Sequence, residues 1–551
     1  MWRYLDIAVV TILGCAPVLS CSGKGRQSPP TPAGADAGPL PDAVLAAAPG
    51  RVDAMPGDGR MAPDRAGDAP IDVGPTTRSG EDGPFAASTR SLQLRRSIAV
   101  RMAPDKDAER YGTIAAGTWV GWKRALDARP HSGCEGRWVE IEPFGWICEQ
   151  LLQPSELPPK GVELPRLERE ELVPGVYAKV VGEQPVTFYK EGKGDEIEMV
   201  RARALEGSVM VRRYGELVVD QAVDDAASPV SPAVENDASA QATGDGPDAG
   251  VGTKGDDGGE SVAKTGPVTY WQITQGRKAE YLSVKSLREY RPSKYHGLRL
   301  GDDTGRAMPI GYPRSEQRLV AKIPVYSAAR GGRRVDRVPT RTPIPVLDSA
   351  RAANGRVIAY RIGDERWVRA SQMLLVDKTA PPPGTDPHER WMDLDLDTQV
   401  LVAYEGELPV YTTMVATGSK KHPTGTGIFR IWVKFAEKNM SDLAGEDPYS
   451  VATVPWVQFY DKGLALHTSY WHDKFGTRRS HGCTNLAPAD ARFLYFWSEP
   501  TVPPGWSMAK GTIEHPGSMV RIRSRDDPEP QFQGYALDVF QARQASSRPS
   551  P

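Results

Sequence analysis

Apolar residues recur at every second position in three separate stretches of this chain, and each stretch ends alike. "RWVEIEPFGWICEQLL" (Arg137 to Leu152), "TYWQITQGRKAEYLSVKSL" (Thr269 to Leu287) and "VIAYRIGDERWVRASQMLL" (Val357 to Leu375) each read as an alternating strand, a turn, a second strand entered by an aromatic, and a terminal Leu. Period-two alternation broken by Gly-bearing turns predicts small β-units. The segments leading into them repeat as well. "SIAVRMAPDKDAERYGTIAAGTWVGW", "QPVTFYKEGKGDEIEMVRARALEGSVMVRR" and "AKIPVYSAARGGRRVDRVPTRTPIPVL" each give a short strand, a polar turn and further strands. We therefore expect three copies of one unit, at 91–156, 170–290 and 316–378. Trp119, Trp138, Trp146, Trp271 and Trp367 read mostly as the cores of these units, with surface binding grooves as the other option.

After "DKTAPPPGTDPHE" a further β-rich region is expected over 388–525. Met392, Leu394 and Leu396 alternate with Asp393, Asp395 and Asp397, which predicts a strand whose aspartates form a wet face. Gly406 marks a hairpin turn into "VYTTMVATG". "HPTGTG" predicts a tight turn into one strand from Ile428 to Phe435, and "AEKNMSDLAGEDPYSVATVPW" a long polar connection of the kind that forms lids or binding walls. In "GLALHT", Gly463, Ala465 and His467 share one strand face and Leu464 and Leu466 the other, so leucines facing the core aim His467 at a cleft. "APADARFLYFW" reads as a short helix with Pro488 in its first turn. "GSMVRIRS" reads as a last strand, and the polar tail 526–551 as frayed. The expected fold class is mainly β.

Composition alters this picture at two places. Ser22 to Pro84 and Gln221 to Val268 contain no aromatic residue and are rich in Pro, Gly, Ala and Asp. Neither buries enough apolar surface to offset chain entropy, so 22–90 reads as a disordered linker and 221–268 as a disordered insertion in the second unit. The formal net charge of -2 gives no electrostatic case for nucleic acid. Near the N-terminus, Arg3 precedes the apolar run Ile7 to Leu19, which is short of the roughly 20 residues a bilayer-spanning helix needs. This reads as an export signal over 1–21.

Five cysteines are present. Cys15 lies in the signal and Cys21 at its end. Cys134 and Cys148 lie in the first unit, and a disulfide closing that loop is worth about 3 kcal/mol in the chain-entropy model. Cys483 is then the odd one out, and an unpaired thiol in an oxidising compartment points to needed chemistry.

Cys483 stands in "SHGCTN", with His467 sixteen positions upstream. A cysteine just before a helix has its thiolate favoured by the helix N-terminus and by a nearby imidazole. Gly482 removes bulk where a carbonyl approaches, and the amides of Gly482 and Cys483 are candidate oxyanion donors. A zinc site built from His467, His472, His481 and Cys483 has acceptable ligand types but matches no recurring zinc spacing. A papain-like arrangement places Cys before His, the reverse of this order.

His467, "SHGC", Asn485 and the upstream "HPTGTG" together resemble the L,D-transpeptidase catalytic domain, the YkuD family, over about 390–497. The resemblance implies Cys483 as nucleophile, His467 as general base, the backbone carbonyl of Thr468 as its orienting group and the Gly482 amide at the oxyanion. It implies that Ser480 and His481 shape the loop and that Asn485 holds substrate or the helix entry. An aromatic near the oxyanion is also implied, with Trp456, Phe459 and Tyr460 as candidates; His422 matches no family role. The implied partner is a peptidoglycan stem peptide, with no cofactor and no metal. The acceptor left open is another stem, a wall-linked protein or water. A non-catalytic wall-binding tether is the alternative.

The three repeats resemble bacterial SH3-like (SH3b) domains, small β-barrels often attached to wall enzymes. The "VLSC" run ending at Cys21 resembles the lipobox of bacterial lipoproteins, which implies lipidation at Cys21 and a membrane anchor. Ser22 after that cysteine fits an outer-membrane location facing the periplasm, with the linker as a tether.

Overall fold

The computed structural model describes residues 84–193, 196–222, 265–301, 304–315, 321–442 and 448–546. The signal, the lipidation position Cys21 and nearly all of the 22–90 linker lie outside them.

The three copies share one wiring. In each, a first strand pairs antiparallel with a second: Ile98–Arg101 with Arg110–Ile114, Val186–Glu191 with Ile197–Arg203, and Lys322–Tyr326 with Arg334–Pro339. The register slips at the same place in all three, between Val100 and Arg101, Phe188 and Tyr189, and Val325 and Tyr326. The residue after each slip pairs with an aromatic on a later strand: Arg101 with Trp146, Tyr189 with Tyr281, Tyr326 with Trp367. A 3-10 turn follows (Glu149–Leu151, Val284–Ser286, Ala370–Gln372), then a strand opening on Leu152, Leu287 or Met373. Such bulges bend a strand and increase its twist, which lets a short sheet wrap on itself. Of the tryptophans, Trp138, Trp146 and Trp271 are buried, whereas Trp119 and Trp367 are partly exposed. A disulfide joins Cys134 and Cys148 beside Trp138 and Trp146.

Two unit boundaries move. Gly215–Ala222 and Thr265–Gln272 form a hairpin in which Ala222 pairs with Thr265, so both ends of the expected insertion are strand and the intervening 223–264 lies outside the described residues. Ile310–Pro313 pairs with Met373–Val376, so the third unit starts before 316.

The region after 388 builds two sheets. One runs in the order Leu298–Arg299, Leu408–Met414, Val400–Glu405, Arg390–Asp395, Met519–Arg523, Gly427–Arg430. The expected single strand 428–435 is in fact two. Gly427–Arg430 pairs with Met519–Arg523, while Val433–Asp442 joins the second sheet beside Tyr449–Asp461 and Trp506–Lys510. The break at Ile431 and Trp432 lets one chain segment serve both sheets. The expected polar connection 436–456 is also corrected: most of it is the long hairpin Val433–Asp442 and Tyr449–Asp461, in which Val451, Val454 and Trp456 are buried in the core.

The expectation of a wet aspartate face fails at its centre. Asp393 is 3 % exposed and pairs with Arg521 at 2.6 Å and Arg523 at 2.9 Å, because Met519–Arg523 docks parallel beside it. The tail is not frayed throughout either. Gly534–Ser546 is helical, buries Ala536 and Val539, and is tied by Arg543 to Asp386 and Glu389.

The units are not beads on a string. Arg110–Ile114 of the first pairs with Trp506–Lys510, and Ser208–Arg212 of the second pairs parallel with Tyr449–Asp461. Both therefore extend the second sheet sideways.

Candidate active site

Strand Leu464–Thr468 and strand Thr484–Leu486 run parallel, with His467 opposite Asn485 and Leu466 opposite Thr484. Continuing this register one residue back sets Cys483 beside Ala465. Paired residues in a sheet point to the same face, as do residues two apart, so His467 and Cys483 emerge on one side of neighbouring strands. His467 is almost wholly buried, and Cys483 is partly exposed and is the free cysteine among the described residues.

The Nδ1 of His467 lies 2.8 Å from the carbonyl of Thr468. A carbonyl only accepts, so Nδ1 carries the proton and Nε2 is left as the basic nitrogen. Burial pushes His467 down to about 4, against the opposing pull of that hydrogen bond. Burial pushes Cys483 up to about 11, opposed by the Ala465 backbone N–H that reaches its sulfur. The resting pair at neutral pH is therefore a thiol beside a neutral imidazole. The Cys483 Sγ sits 3.8 Å from the Gly463 carbonyl, an acceptor within reach of the thiol.

The expected help from a helix N-terminus is limited. Helix Pro488–Trp497 does follow the motif, but strand Thr484–Leu486 intervenes and carries its N-terminus away from the sulfur. The dipole of a helix acts within its first turn, so it gives Cys483 little help.

Two hydroxyls brace the loop before the cysteine, beside backbone bonds from Arg479 and Ser480 to the Thr417 carbonyl. Ser480 Oγ donates to the Cys483 carbonyl at 2.5 Å and accepts from the Gly482 amide at 3.1 Å. Thr424 Oγ1 donates to the Gly482 carbonyl at 2.6 Å and accepts from the Gly418 amide at 2.9 Å. Gly482 has φ +115, and an added Cβ meets Leu464 Cδ2 at 3.0 Å, so both backbone and space require glycine. The Gly482 amide, expected at the oxyanion, is occupied by Ser480 in this arrangement.

Asn485 is buried, with its side-chain amide 3.0 Å from Nε2 of His472. The Lys474 amide donates to the other ring nitrogen of His472 at 3.2 Å, so Nε2 must carry the proton and needs an acceptor. Rotating the Asn485 amide by half a turn supplies its Oδ1, a buried atom that otherwise has no hydrogen-bond partner. Both nitrogens of His472 are then engaged, which removes it from any zinc set. His481 is exposed, its ring 4.9 Å from His422 on one side and 4.9 Å from Tyr449 on the other.

Trp456, expected near the oxyanion, is corrected to core: it is fully buried, on the face of its strand that packs inward. Phe459 lies against Trp432 and Phe435. The phenols close enough to be raised by the charge of Cys483, after burial, are Tyr449 and Tyr460; Tyr449 reaches about 12. Tyr449 escaped the sequence reading because it sits in what looked like a polar loop. Its only signal is the lone aromatic in "EDPYSV".

Residues 389–522 match the family model for the L,D-transpeptidase catalytic domain, YkuD. This segment is an L,D-transpeptidase catalytic domain. YciB of Bacillus subtilis (strain 168), which bears an L,D-transpeptidase name, is 26% identical over 146 residues, 23% of this chain and 73% of YciB. Among solved structures, an Enterococcus faecium L,D-transpeptidase is similar at 22% identity and a TM-score of 0.21, covering 27% of this chain and 55% of that one. A Mycobacterium smegmatis L,D-transpeptidase is similar at 14% identity and a TM-score of 0.21, covering 42% of this chain and 94% of that one. The present chain thus spans little more than half of the Enterococcus enzyme. Within the L,D-transpeptidase domain, His467, Thr468, Ser480, Gly482, Cys483 and Asn485 lie on adjoining strands and one loop, and Trp456 is buried on the neighbouring strand Tyr449–Asp461.

Proposed function

We propose that the chain is a peptidoglycan L,D-transpeptidase with Cys483 as nucleophile. The observation that carries this reading is His467, held by the Thr468 carbonyl so that Nε2 is basic, on the strand beside Cys483 and on the same face. The reaction starts from neutral partners. As the Cys483 sulfur attacks the carbonyl at the L-centre of diaminopimelate in the stem peptide, its proton passes to His467 Nε2. The resulting tetrahedral oxyanion collapses, the C–N bond to D-Ala breaks, and His467 returns the proton to the leaving amine. An acceptor amine then attacks the thioester and gives its proton to His467, which reprotonates the departing thiolate. A second stem yields a 3-3 crosslink, a lysine of a wall-linked protein yields an attached protein, and water yields a shortened stem.

In this reading the substrate carbonyl draws the sulfur off Gly463, and Tyr449 and Tyr460 are phenol donors beside the developing charge. The three repeated units act as SH3-like modules, and lipidated Cys21 anchors the enzyme at the periplasmic face of the outer membrane. Incubating the full chain with tetrapeptide muropeptides and reading products by mass spectrometry tests the chemistry. D-Ala release by the natural protein and its loss in Cys483→Ala are expected. Equal turnover in both removes Cys483 from the reaction, and none in either favours the wall-binding tether.

A further inference from the structure

The stretch between His467 and Cys483, residues 469–482, is bonded within the matched catalytic segment, at Leu396, Val415, Thr417 and Leu486, and is also gripped by parts of the chain outside it. Tyr177 of the second unit stacks on Tyr470 at 4.0 Å, and its hydroxyl donates to the Thr453 carbonyl at 3.2 Å. Residues 293–297, between the second and third units, continue the contact. Ser293 donates to the Asp473 carboxylate, and Tyr295 stacks on Phe475 at 5.7 Å while its hydroxyl accepts from the Met414 amide at 3.1 Å. The Gly297 amide donates to buried Asp490 at 2.7 Å.

The third unit reaches furthest. Arg341, in a left-handed turn at φ +66, donates to the Asp473 carbonyl at 2.7 Å and to its carboxylate at 2.8 Å. Its guanidinium also lies over the Tyr295 ring at 5.5 Å. An arginine that grips both the backbone and the side chain of one residue fixes that residue's orientation as well as its charge. Asp473 follows His472 directly, and His472 is the partner of Asn485, two residues beyond the nucleophile. Phe475 packs on His472 at 5.2 Å from the other side.

We propose that Arg341 is a positioning residue for the reaction: by holding Asp473 it seats His472 against Asn485, and through that strand it sets the placement of Cys483. The contacts form one connected path from the third unit to the nucleophile, Arg341 to Asp473, His472, Asn485 and Cys483. The stabilising value of such a pair, one-third to one-half exposed, is small, so its role lies in geometry rather than in fold stability. Small displacements at a reacting group are costly in rate, because attack needs the sulfur and the carbonyl aligned at contact distance.

This inference rests on the transpeptidase reading, and its test separates the two. Full-length Arg341→Ala, Arg341→Lys and Asp473→Asn are compared with the natural protein in three measurements: D-Ala release from tetrapeptide muropeptides, amide hydrogen exchange over 469–486, and melting temperature. For Arg341→Ala we expect kcat to fall roughly 3- to 30-fold with KM nearly unchanged, the range found for residues that couple to a site at a distance. Faster exchange over 469–486 at an unchanged melting temperature is expected alongside. Arg341→Lys keeps the charge and one hydrogen bond and should recover part of both effects. Natural kcat and natural exchange in Arg341→Ala overturn the proposal, as does a kcat loss matched by an equal loss in melting temperature and no rescue by lysine. If the natural protein releases no D-Ala, the transpeptidase reading fails, and the exchange measurement still decides whether Arg341 holds the loop.

Discussion

Cys483 and His467 are neutral partners, and this has a measurable consequence. A thiol raised to about 11 by burial, beside an imidazole lowered to about 4 by burial, has no neutral-pH window in which thiolate and imidazolium coexist. The sign follows from each shift. His467 is unprotonated, and so able to act as base, at any pH above about 4; the thiolate fraction climbs until the pH nears about 11. Alkylation of the free protein by iodoacetamide should therefore quicken about tenfold per pH unit from 7 to 10, since only thiolate reacts. A plateau beginning below pH 7 would reveal a preformed ion pair and sink this account. That His467 turns to the same face as Cys483 was legible in the alternation of "GLALHT", which is local to one strand, whereas the Thr468 carbonyl was expected only from the resemblance to the YkuD family. Trp456 was misread because a strand pattern shows that one face is buried without saying which aromatic faces the cleft.

At the scale of elements, helix Pro488–Trp497 is tied down through its first turn. Asp490 is fully buried, accepts from Tyr411 at 2.7 Å and from the Gly297 amide at 2.7 Å, and also bonds Thr413. Burial raises its carboxyl to about 6, although all three donors pull it the other way. A folded value above the ordinary one of 3.8 means that the native state binds the extra proton. Asp490 thus adds stability that is complete below pH 4 and is lost as the pH rises through about 6. In Asp490→Asn, the slope of melting temperature against pH between 4 and 6 should become less negative than in the natural protein; an identical slope would show that Asp490 does not titrate there. Strand pairing explains the other misreadings. Asp393 looked like a wet position in isolation, and only the arrival of Met519–Arg523, from more than a hundred residues away, closes that face with two arginines.

For the whole molecule, the first two units and the L,D-transpeptidase domain share a continuous sheet through two strand pairings. Shared backbone hydrogen bonds and one contiguous apolar cluster, running from Leu92 and Val100 to Leu466 and Ala509, couple their unfolding. Calorimetry should show these parts melting in one transition. Replacing both Cys134 and Cys148 by Ser, worth about 3 kcal/mol by loop closure, should move that whole transition downward. A separate small transition moving alone would mean that the first unit unfolds independently. By itself the sequence determined the β class, the threefold repeat, the glycine turn at 406 and the strand face that carries His467. Each of these is written in alternation, turn residues or short spacing, which act over a few neighbours. Tertiary structure decided which strands share a sheet, where Asp393 and Asp490 find their partners, and that Arg341 reaches the loop before the nucleophile. Those contacts join residues far apart in the chain, and local patterns of polarity carry no information about which distant surface will cover a face.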